Sequence, residues 1–438
     1  LGSNGAYPYN AGSATLATYL YTCPNVRTED VTVYTNTGKA RPMRAPGFPQ
    51  GAWSLEQAMD ELAEKLGVDP IELRLQNIAE ELQVEGGLPF TSNQLAKCLK
   101  KGAEEFGWTA ARARPETDSH LRRGVGAAAC FWGYGGGPPS TVIVKFFSDG
   151  SVNLNMGASD IGTGTKTWAA MIVAEELGVA VDKIQIEHAD TATTQYATSS
   201  GGSKTVPSDS PAVRAAAYAV KVQLMNMAAE QLEIDVSDLE LRDLKISSQS
   251  DSEKTVEVTA IEKLGRQGVV IGTGYRDPNP EGKITFPFAA QFCEVEVNTR
   301  TGEVRLLQFL GAHDSGRVLN RLTYDNQVFG GIVMGVGLGM TEERVLDRQT
   351  GKMANANLHD YKIPTMKDVA IEHSCVPIDI PDTEFNTTGT KGLGEPATIP
   401  TAAAIANAVY DAVGIRVTDS PINPVQMARL LAEQRKEA

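Results

Sequence analysis

Residues 391–414 read KGLGEPATIPTAAAIANAVYDAVG, and no other stretch says as much about the chain. A lone carboxylate, Glu395, stands between Gly394 and Pro396, with Gly389 and Gly392 just ahead of it. Glycine lets a backbone approach a ligand closely. Pro396 stiffens the chain past the acid and suits a position near a helix start, and an Ala-rich helical pattern follows. Two readings are open. A carboxylate in a tight, partly dry turn has a raised pKa and suits a general base. A glutamate at the start of a helix can equally do no more than satisfy the helix dipole.

The chain has 438 residues, enough for two or three domains with substantial cores. Forty Lys and Arg against 54 Asp and Glu leave a formal charge of −14, which argues against nucleic acid as the main partner. No apolar run reaches the roughly 18 residues of a membrane span. There is no signal-peptide pattern, and the sequence starts at Leu1, as expected of a processed product or a fragment. The five cysteines, Cys23, Cys98, Cys130, Cys293 and Cys375, are scattered without a C-x-x-C pair. That argues against an iron–sulfur or zinc site within the chain and fits a reducing, cytoplasmic compartment. The five histidines show no paired spacing, so no side-chain metal ligands are expected.

The pattern along the chain predicts an α+β fold with sheets covered by helices. A strand is expected at 31–34. Ser54 and Gln57 make a capping-box pattern ahead of a helix over 54–67. Pro70 opens a second helix over 70–82, and 93–106 reads as a third. The polar stretch 112–123 reads as a linker, dividing a domain over 1–115 from one over 120–438. In the latter, TVIVKFF-SDGS-VNLNMG and FCEVEVN-TRTG-EVRLLQFLG both read as hairpins. Each is followed by G-A-x-D-x-G, at 157–162 and 311–316, and then by a helical stretch. The repeat predicts an internal duplication over 141–235 and 285–415, two related hairpin-helix units. Between them lie a long helix over about 210–232 and a strand-rich segment near 239–257. A last helix is capped by Ser420-Pro421-Ile422-Asn423-Pro424.

Three further loops have the composition of a ligand cradle. GASDIGTGT, at 157–165, opens a helix, where free backbone N–H groups favour an anion such as a pyrophosphate. It matches neither a Walker A nor a GxGxxG pattern, and a plain strand-to-helix turn explains it as well. TSSGGSKT, at 198–205, also feeds a helix and is otherwise an ordinary Ser/Gly loop. RPMRAPG, at 41–47, has two prolines to fix its backbone, and Arg44 either presents a planar cation to a substrate oxygen or is a surface arginine.

In this order, five segments together resemble the molybdenum hydroxylases, the xanthine dehydrogenase and aldehyde oxidoreductase family, in their large, molybdopterin-binding subunit. They are TNTGKARPMRAPGFPQGAWSLEQAMDELAEKLGVDPIELRLQN, MGASDIGTGTKTWAAMIVAEELG, SSGGSKTVPSDSPAVRAAA, GAHDSGRVLN and KGLGEPATIPTAAAIANAVYDAVG. The resemblance implies two related α/β domains with the cofactor between them, the first (1–115) incomplete at its N-terminus. It implies an enzyme that oxidises an aldehyde or an N-heteroaromatic carbon with water as oxygen source. Glu395 would act as base on a Mo–OH group, with hydride transfer to Mo=S, the metal being held by the pterin dithiolene. Arg44 would orient the substrate, with Ala45, Pro46 and Gly47 beside the metal's oxo group. Gly162, Thr163 and Gly164 would contact the pterin phosphates, with Ser199, Ser200, Gly201, Gly392 and Gly394 completing the cradle and Val213 and Arg214 near a further cofactor-contacting helix start. Many relatives carry Gln where this chain has Thr163, which leaves backbone contacts there. The loop at 43–47 lacks the cysteine of relatives that oxidise carbon monoxide, so that activity is set aside. The expected cofactor is molybdopterin, as the cytosine dinucleotide, with molybdenum. Iron–sulfur [2Fe–2S] and FAD centres are expected on partner subunits, and the missing N-terminal half of the subunit on this polypeptide or a companion chain. Two alternatives stand beside this reading: a non-catalytic cofactor-binding or assembly subunit, and an unrelated pair of phosphate-binding domains.

Overall fold

The computed structural model describes residues 12–31, 33, 42–83, 87–115, 119–370 and 372–437. Its first part is helical: α1 (Thr15–Tyr19), α2 (Phe48–Leu66), α3 (Pro70–Gln76), α4 (Leu95–Phe106) and α5 (Trp108–Arg112). Helix α2 begins six residues before the predicted capping box. Gly47, at φ 83°, turns the chain into the helix and Pro49 occupies its first turn. Ser54 and Gln57 therefore lie inside α2, and the Gln57 amide donates to the Trp53 carbonyl at 3.0 Å instead of capping anything. The Asp69 carboxylate caps α3 by accepting from Ile71 N–H at 2.7 Å, and α3 ends at Gln76, short of the predicted 82. Val31 and Val33 are exposed and outside any strand; Thr32 and Tyr34, and residues 35–41 of the first motif, lie outside the described residues.

The rest of the chain supplies β1 (Leu121–Phe131), β2 (Thr141–Phe147), β3 (Val152–Met156), α6 (Thr165–Leu177), β4 (Ile184–His188) and α7 (Thr205–Leu232). A small sheet of β5 (Leu239–Arg242), β6 (Lys245–Ser248) and β7 (Thr255–Glu257) follows, then α8 (Glu262–Gln267) and β8 (Val269–Tyr275). The last elements are β9 (Phe288–Asn298), β10 (Val304–Asp314), α9 (Arg321–Val336), β11 (Glu372–Pro377), α10 (Thr401–Val413) and α11 (Pro424–Glu437). Two four-stranded sheets result, ordered β4-β3-β2-β8 and β11-β10-β9-β1.

The two sheets share one pattern. In each, an antiparallel hairpin is followed by a helix and then by a strand parallel to the hairpin's second strand, β4 beside β3 and β11 beside β10. The fourth strand is exchanged. β1 immediately precedes the β2–β3 hairpin but pairs with β9, and β8 precedes the β9–β10 hairpin but pairs with β2. Both predicted hairpins are present, but the matching G-A-x-D segments differ in structure. Residues 157–160 leave the first sheet as a loop, whereas 311–314 stay in β10, because β9 and β11 pair with them on both sides.

Each exchanged strand has two glycines where a helix lies across it. A Cβ on Gly124 or Gly126 of β1 would strike the backbone of α10 at Ala408 and Ala404. One on Gly272 or Gly274 of β8 would strike the backbone of α7 at Ala216 and Ala212. The helices can therefore sit directly on the strands. One apolar cluster joins α2, α4 and α10 to β1, β9 and β10 through residues such as Phe131, Phe292 and Ile405; a second joins α6 and α7 to β2, β3 and β8. Gly126→Val and Gly274→Val should each cost about 1–3 kcal/mol by overpacking, seen as a lower urea midpoint at unchanged m value. Gly265→Ala, with open space around its Cβ inside α8, should leave the midpoint unchanged or slightly raised.

Candidate functional site

Segments from both sheets converge on one cavity of about 410 Å³. Ile161, Gly162 and Thr163 come from the loop after β3, Ser200 to Ser203 from the approach to α7, and Thr205 and Val206 from its first turn. Ser315, Arg317 and Asn320 come from the segment into α9 and Gln327 from α9 itself, Gly392, Gly394 and Glu395 from the KGLGEP turn, and Arg44 from the turn before α2. A second cavity, of about 390 Å³, lies against residues 133–138, Lys204 and Lys283 and contains none of the predicted site residues.

Glu395 does not cap a helix. Helix α10 starts only at Thr401, and residues 394–400 form turns in which Thr398 N–H donates to the Glu395 carbonyl at 3.0 Å. The carboxylate accepts from Ala45 N–H at 3.2 Å and from the Ser203 hydroxyl at 3.0 Å. Burial raises its pKa above the usual glutamate value, against the lowering effect of those two hydrogen bonds and of the Arg44 charge. Ala45 reaches the acid because it adopts a left-handed conformation, φ 56°, that L-residues seldom take, just before Gly47.

Arg44 supports the same turn from the other side. Its Nε donates to the Gly394 carbonyl, its Nη2 to Gln327 O at 3.0 Å and Oε1 at 3.3 Å, and its Nη1 to Met334 Sδ at 3.7 Å. Burial lowers its pKa to about 10, with Glu395 opposing the shift, so the guanidinium stays charged at neutral pH. Most of its donors are thus engaged with protein atoms, leaving Nη1 with only a thioether.

The predicted cradle residues divide. Gly162, Thr163, Ser200, Gly201, Gly392 and Gly394 line the cavity; Ala45 and Gly47 are buried behind it, and Pro46, Gly164 and Ser199 are not in its wall. The expectation of free N–H groups at 157–165 needs correction in part. Asp160 accepts from Gly162 N–H at 2.9 Å and Gly164 N–H at 3.2 Å, two of the donors assigned to a ligand, and from Lys166 N–H just past the loop at 3.2 Å. Val213 and Arg214 are also displaced from the site. Helix α7 starts at Thr205, not near 210, which puts Val213 in the core and lets Arg214 pair with Glu176 at 2.9 Å. Thr205 and Val206, eight and seven residues before Val213, meet the cavity instead. Residues not singled out in the sequence are Ser203, Gln327, Met334 and Trp168. Only Ser203 had a local signal, as the polar residue after Gly201-Gly202 in a loop already noted.

Among the described residues, no group of three His, Cys, Asp or Glu side chains is placed to hold a metal ion, so a metal here would have to bring ligands of its own. The cavity has room for a small ligand that carries an acidic group. Its volume lies in the small-ligand range. Gly162, Gly201 and Gly202 leave open space where a Cβ would stand, and the buried Trp168 Nε1 in the wall has no hydrogen-bond partner. Thr205 and Val206 belong to the first turn of a 28-residue helix, where N–H groups lack intrahelical acceptors and the dipole favours negative charge.

The α+β fold thus sets a half-buried carboxylate, Glu395, in the wall of a cavity of small-ligand size. Two family models, each for a molybdopterin cofactor-binding domain, match residues 101–370 and 3–78. The putative xanthine dehydrogenase molybdenum-binding subunit of Escherichia coli K12 is 33% identical over 98% of this chain and 59% of its own length. The aldehyde oxidoreductase molybdenum-binding subunit of the same organism is 34% identical over 87% of this chain and 51% of its own length. The fold is similar to that of reconstituted CO dehydrogenase from Oligotropha carboxidovorans, with TM-score 0.82 and 23% identity over 93% of this chain and 54% of that one. The chain belongs to the molybdenum hydroxylase family, in the molybdopterin-binding large subunit of the xanthine dehydrogenase and aldehyde oxidoreductase type. It spans between half and three fifths of the length of these curated relatives. No helix among the described residues is long and apolar enough to cross a membrane.

The turn that carries Glu395 is anchored by Lys391, whose Nζ lies 2.6 Å from Asp314 Oδ2 and 3.0 Å from Ser92 Oγ, with both charged side chains fully buried. Lys391→Met would leave Asp314 buried without its counter-charge and should destabilise the protein by about 3–5 kcal/mol in urea unfolding. The double variant Lys391→Met with Asp314→Asn should recover part of that loss.

Proposed function

We propose that this chain is the molybdenum-binding part of a hydroxylase that oxidises an aldehyde or an N-heteroaromatic carbon with water as oxygen source. The observation that carries the reading is Glu395, a half-buried carboxylate with raised pKa, oriented by Ala45 N–H and the Ser203 hydroxyl in the cavity wall. When bound, the molybdenum–pterin cofactor supplies the two-electron acceptor and the water-derived oxygen. The chain's own residues do the rest. Glu395, deprotonated, takes up a proton at its carboxylate during oxygen transfer. A raised pKa makes the carboxylate a stronger base. Arg44, hydrogen-bonded to the Gly394 carbonyl, keeps the acid's backbone from retreating and sets a positive charge beside the substrate's reacting end. Gly162, Thr163, Ser200, Gly201 and the start of α7 receive the pterin and its phosphate, with Trp168 Nε1 a free donor in the same wall.

We also infer that the pterin carries a cytosine nucleotide, and that electrons leave to [2Fe–2S] and flavin centres on partner subunits. The remaining length of a complete large subunit, on this polypeptide or a companion, would close the site, and the complex would work in the cytoplasm. The shared element order of the two sheets supports an internal duplication over 141–235 and 285–415, following a first domain over 1–115.

Glu395→Gln in the purified, cofactor-loaded complex should keep molybdenum and pterin content while turnover falls by roughly 10²–10⁴-fold. Wild-type turnover in that variant would remove Glu395 from the role of base. Because the base is active only when ionised, kcat/KM should be full at higher pH and decline as pH falls through a value above the usual carboxylate range. Rates for a panel of aldehydes, purines and N-heteroaromatics with an artificial electron acceptor would identify the substrate; activity toward none of them would contradict the assigned class.

A further inference from the structure

We propose that Ser203 is the positioning residue for Glu395, holding the carboxylate in one orientation through a reciprocal pair of hydrogen bonds. The inference rests on the reading of Glu395 as the base and adds to it a residue 192 positions away in sequence. One Ser203 oxygen serves both ends of the acid. It accepts the Glu395 backbone N–H at 2.7 Å and donates its proton to Glu395 Oε2 at 3.0 Å. A hydroxyl can do both at once, whereas a carbonyl or an ammonium cannot. The backbone and side chain of Glu395 are thus tied to the same atom, which removes the rotamer freedom a glutamate on a turn would otherwise keep.

The surroundings are built around this contact. Ser203 has φ 59°, a left-handed conformation uncommon outside glycine and asparagine, so its place is imposed by its neighbours. The preceding residue is tethered by Trp132 Nε1, which donates to Gly202 O at 3.0 Å. The glycines of KGLGEP make room for Ser203. A Cβ on Gly392 would stand 2.5 Å from Ser203 O, and one on Gly394 3.2 Å from Ser203 Oγ. The close approach that these glycines permit is, at least in part, to Ser203 and not to a ligand.

The hydroxyl also favours the ionised acid, since it donates to the carboxylate. Among the described residues, the other charged or titratable groups lining this cavity are Arg44, Arg317, Tyr324 and Lys391, the last directed at Asp314. Of these, Arg44 acts on Glu395, lowering its pKa as Ser203 does. Loss of the hydroxyl therefore leaves burial less opposed and moves the carboxyl pKa up.

The test uses the purified, cofactor-loaded complex with Ser203→Gly, which removes the hydroxyl yet tolerates the positive φ, and Ser203→Ala, which removes it and keeps the strain. Molybdenum and pterin contents should stay at wild-type level. The Glu395 carboxyl stretch, assigned by infrared difference against Glu395→Gln, should titrate about one pH unit higher in both variants, and the acid limb of kcat/KM should move with it. Ser203→Cys, which keeps a weak donor, should fall between. If Ser203→Gly binds the cofactor normally and neither the carboxyl band nor the acid limb moves, Ser203 does not position the acid. That failure is distinct from failure of the base assignment, which would appear as turnover by Glu395→Gln while the carboxyl band still responds to Ser203.

Discussion

The site depends on one buried ion pair. Lys391 and Asp314 meet at 2.6 Å without solvent contact, at the junction of three parts of the chain. Asp314 ends β10 and also accepts Gln94 N–H at the start of α4, at 3.2 Å. The Lys391 ammonium adds Ser92 Oγ and the Phe286 carbonyl as acceptors and lies 5.6 Å from the Phe288 ring centroid. Two charges withdrawn from water are tolerable only when every remaining donor and acceptor is satisfied, so the pair constrains all of its neighbours together. Four residues beyond Lys391, the chain presents Glu395.

Exchange of β1 and β8 gives that anchor a frame. Each hairpin is joined by a short connection to a strand of the other sheet, so the two walls of the cavity are linked through the sheets as well as through loops. Glycines at 124, 126, 272 and 274 let α10 and α7 lie directly on the exchanged strands. The starts of those helices then fall near the cavity: Thr205 in its wall, and Thr401 just past the turn that holds Glu395. Function is carried on loops, as is usual, and precision comes from the packed sheets and helices beneath them.

Local physics was legible along the chain. Alternating TVIVKFF and FCEVEVN form hairpin strands, Asp69-Pro70 starts a helix, and Gly414 ends α10 in a left-handed conformation. Departures arose where a competing local signal or a partner distant in sequence changed the outcome. The Ser54 and Gln57 pattern lies inside α2 because Gly47 and Pro49 start the helix earlier. GAHD stays in β10 because β11, from a segment some sixty residues on, pairs with it. In the loop at 157–165, donors converge as its composition suggests, but on Asp160, which takes those of Gly162 and Gly164 together with that of Lys166.

By itself, the sequence determined the element types, the two hairpins and the acid on a glycine-rich turn, because periodicity, turn residues and side-chain chemistry are local properties. It also contained the motifs whose order identifies the family. Tertiary structure alone decided which strands pair across the exchange, that Glu395 stands clear of the helix end, and that Ser203, Ala45 and Arg44 meet it. Those contacts join residues separated by 192 and 350 positions, and no local pattern encodes them. Whether a glutamate on a turn caps a helix or faces a cavity half-buried depends on what surrounds it, and packing supplies those surroundings.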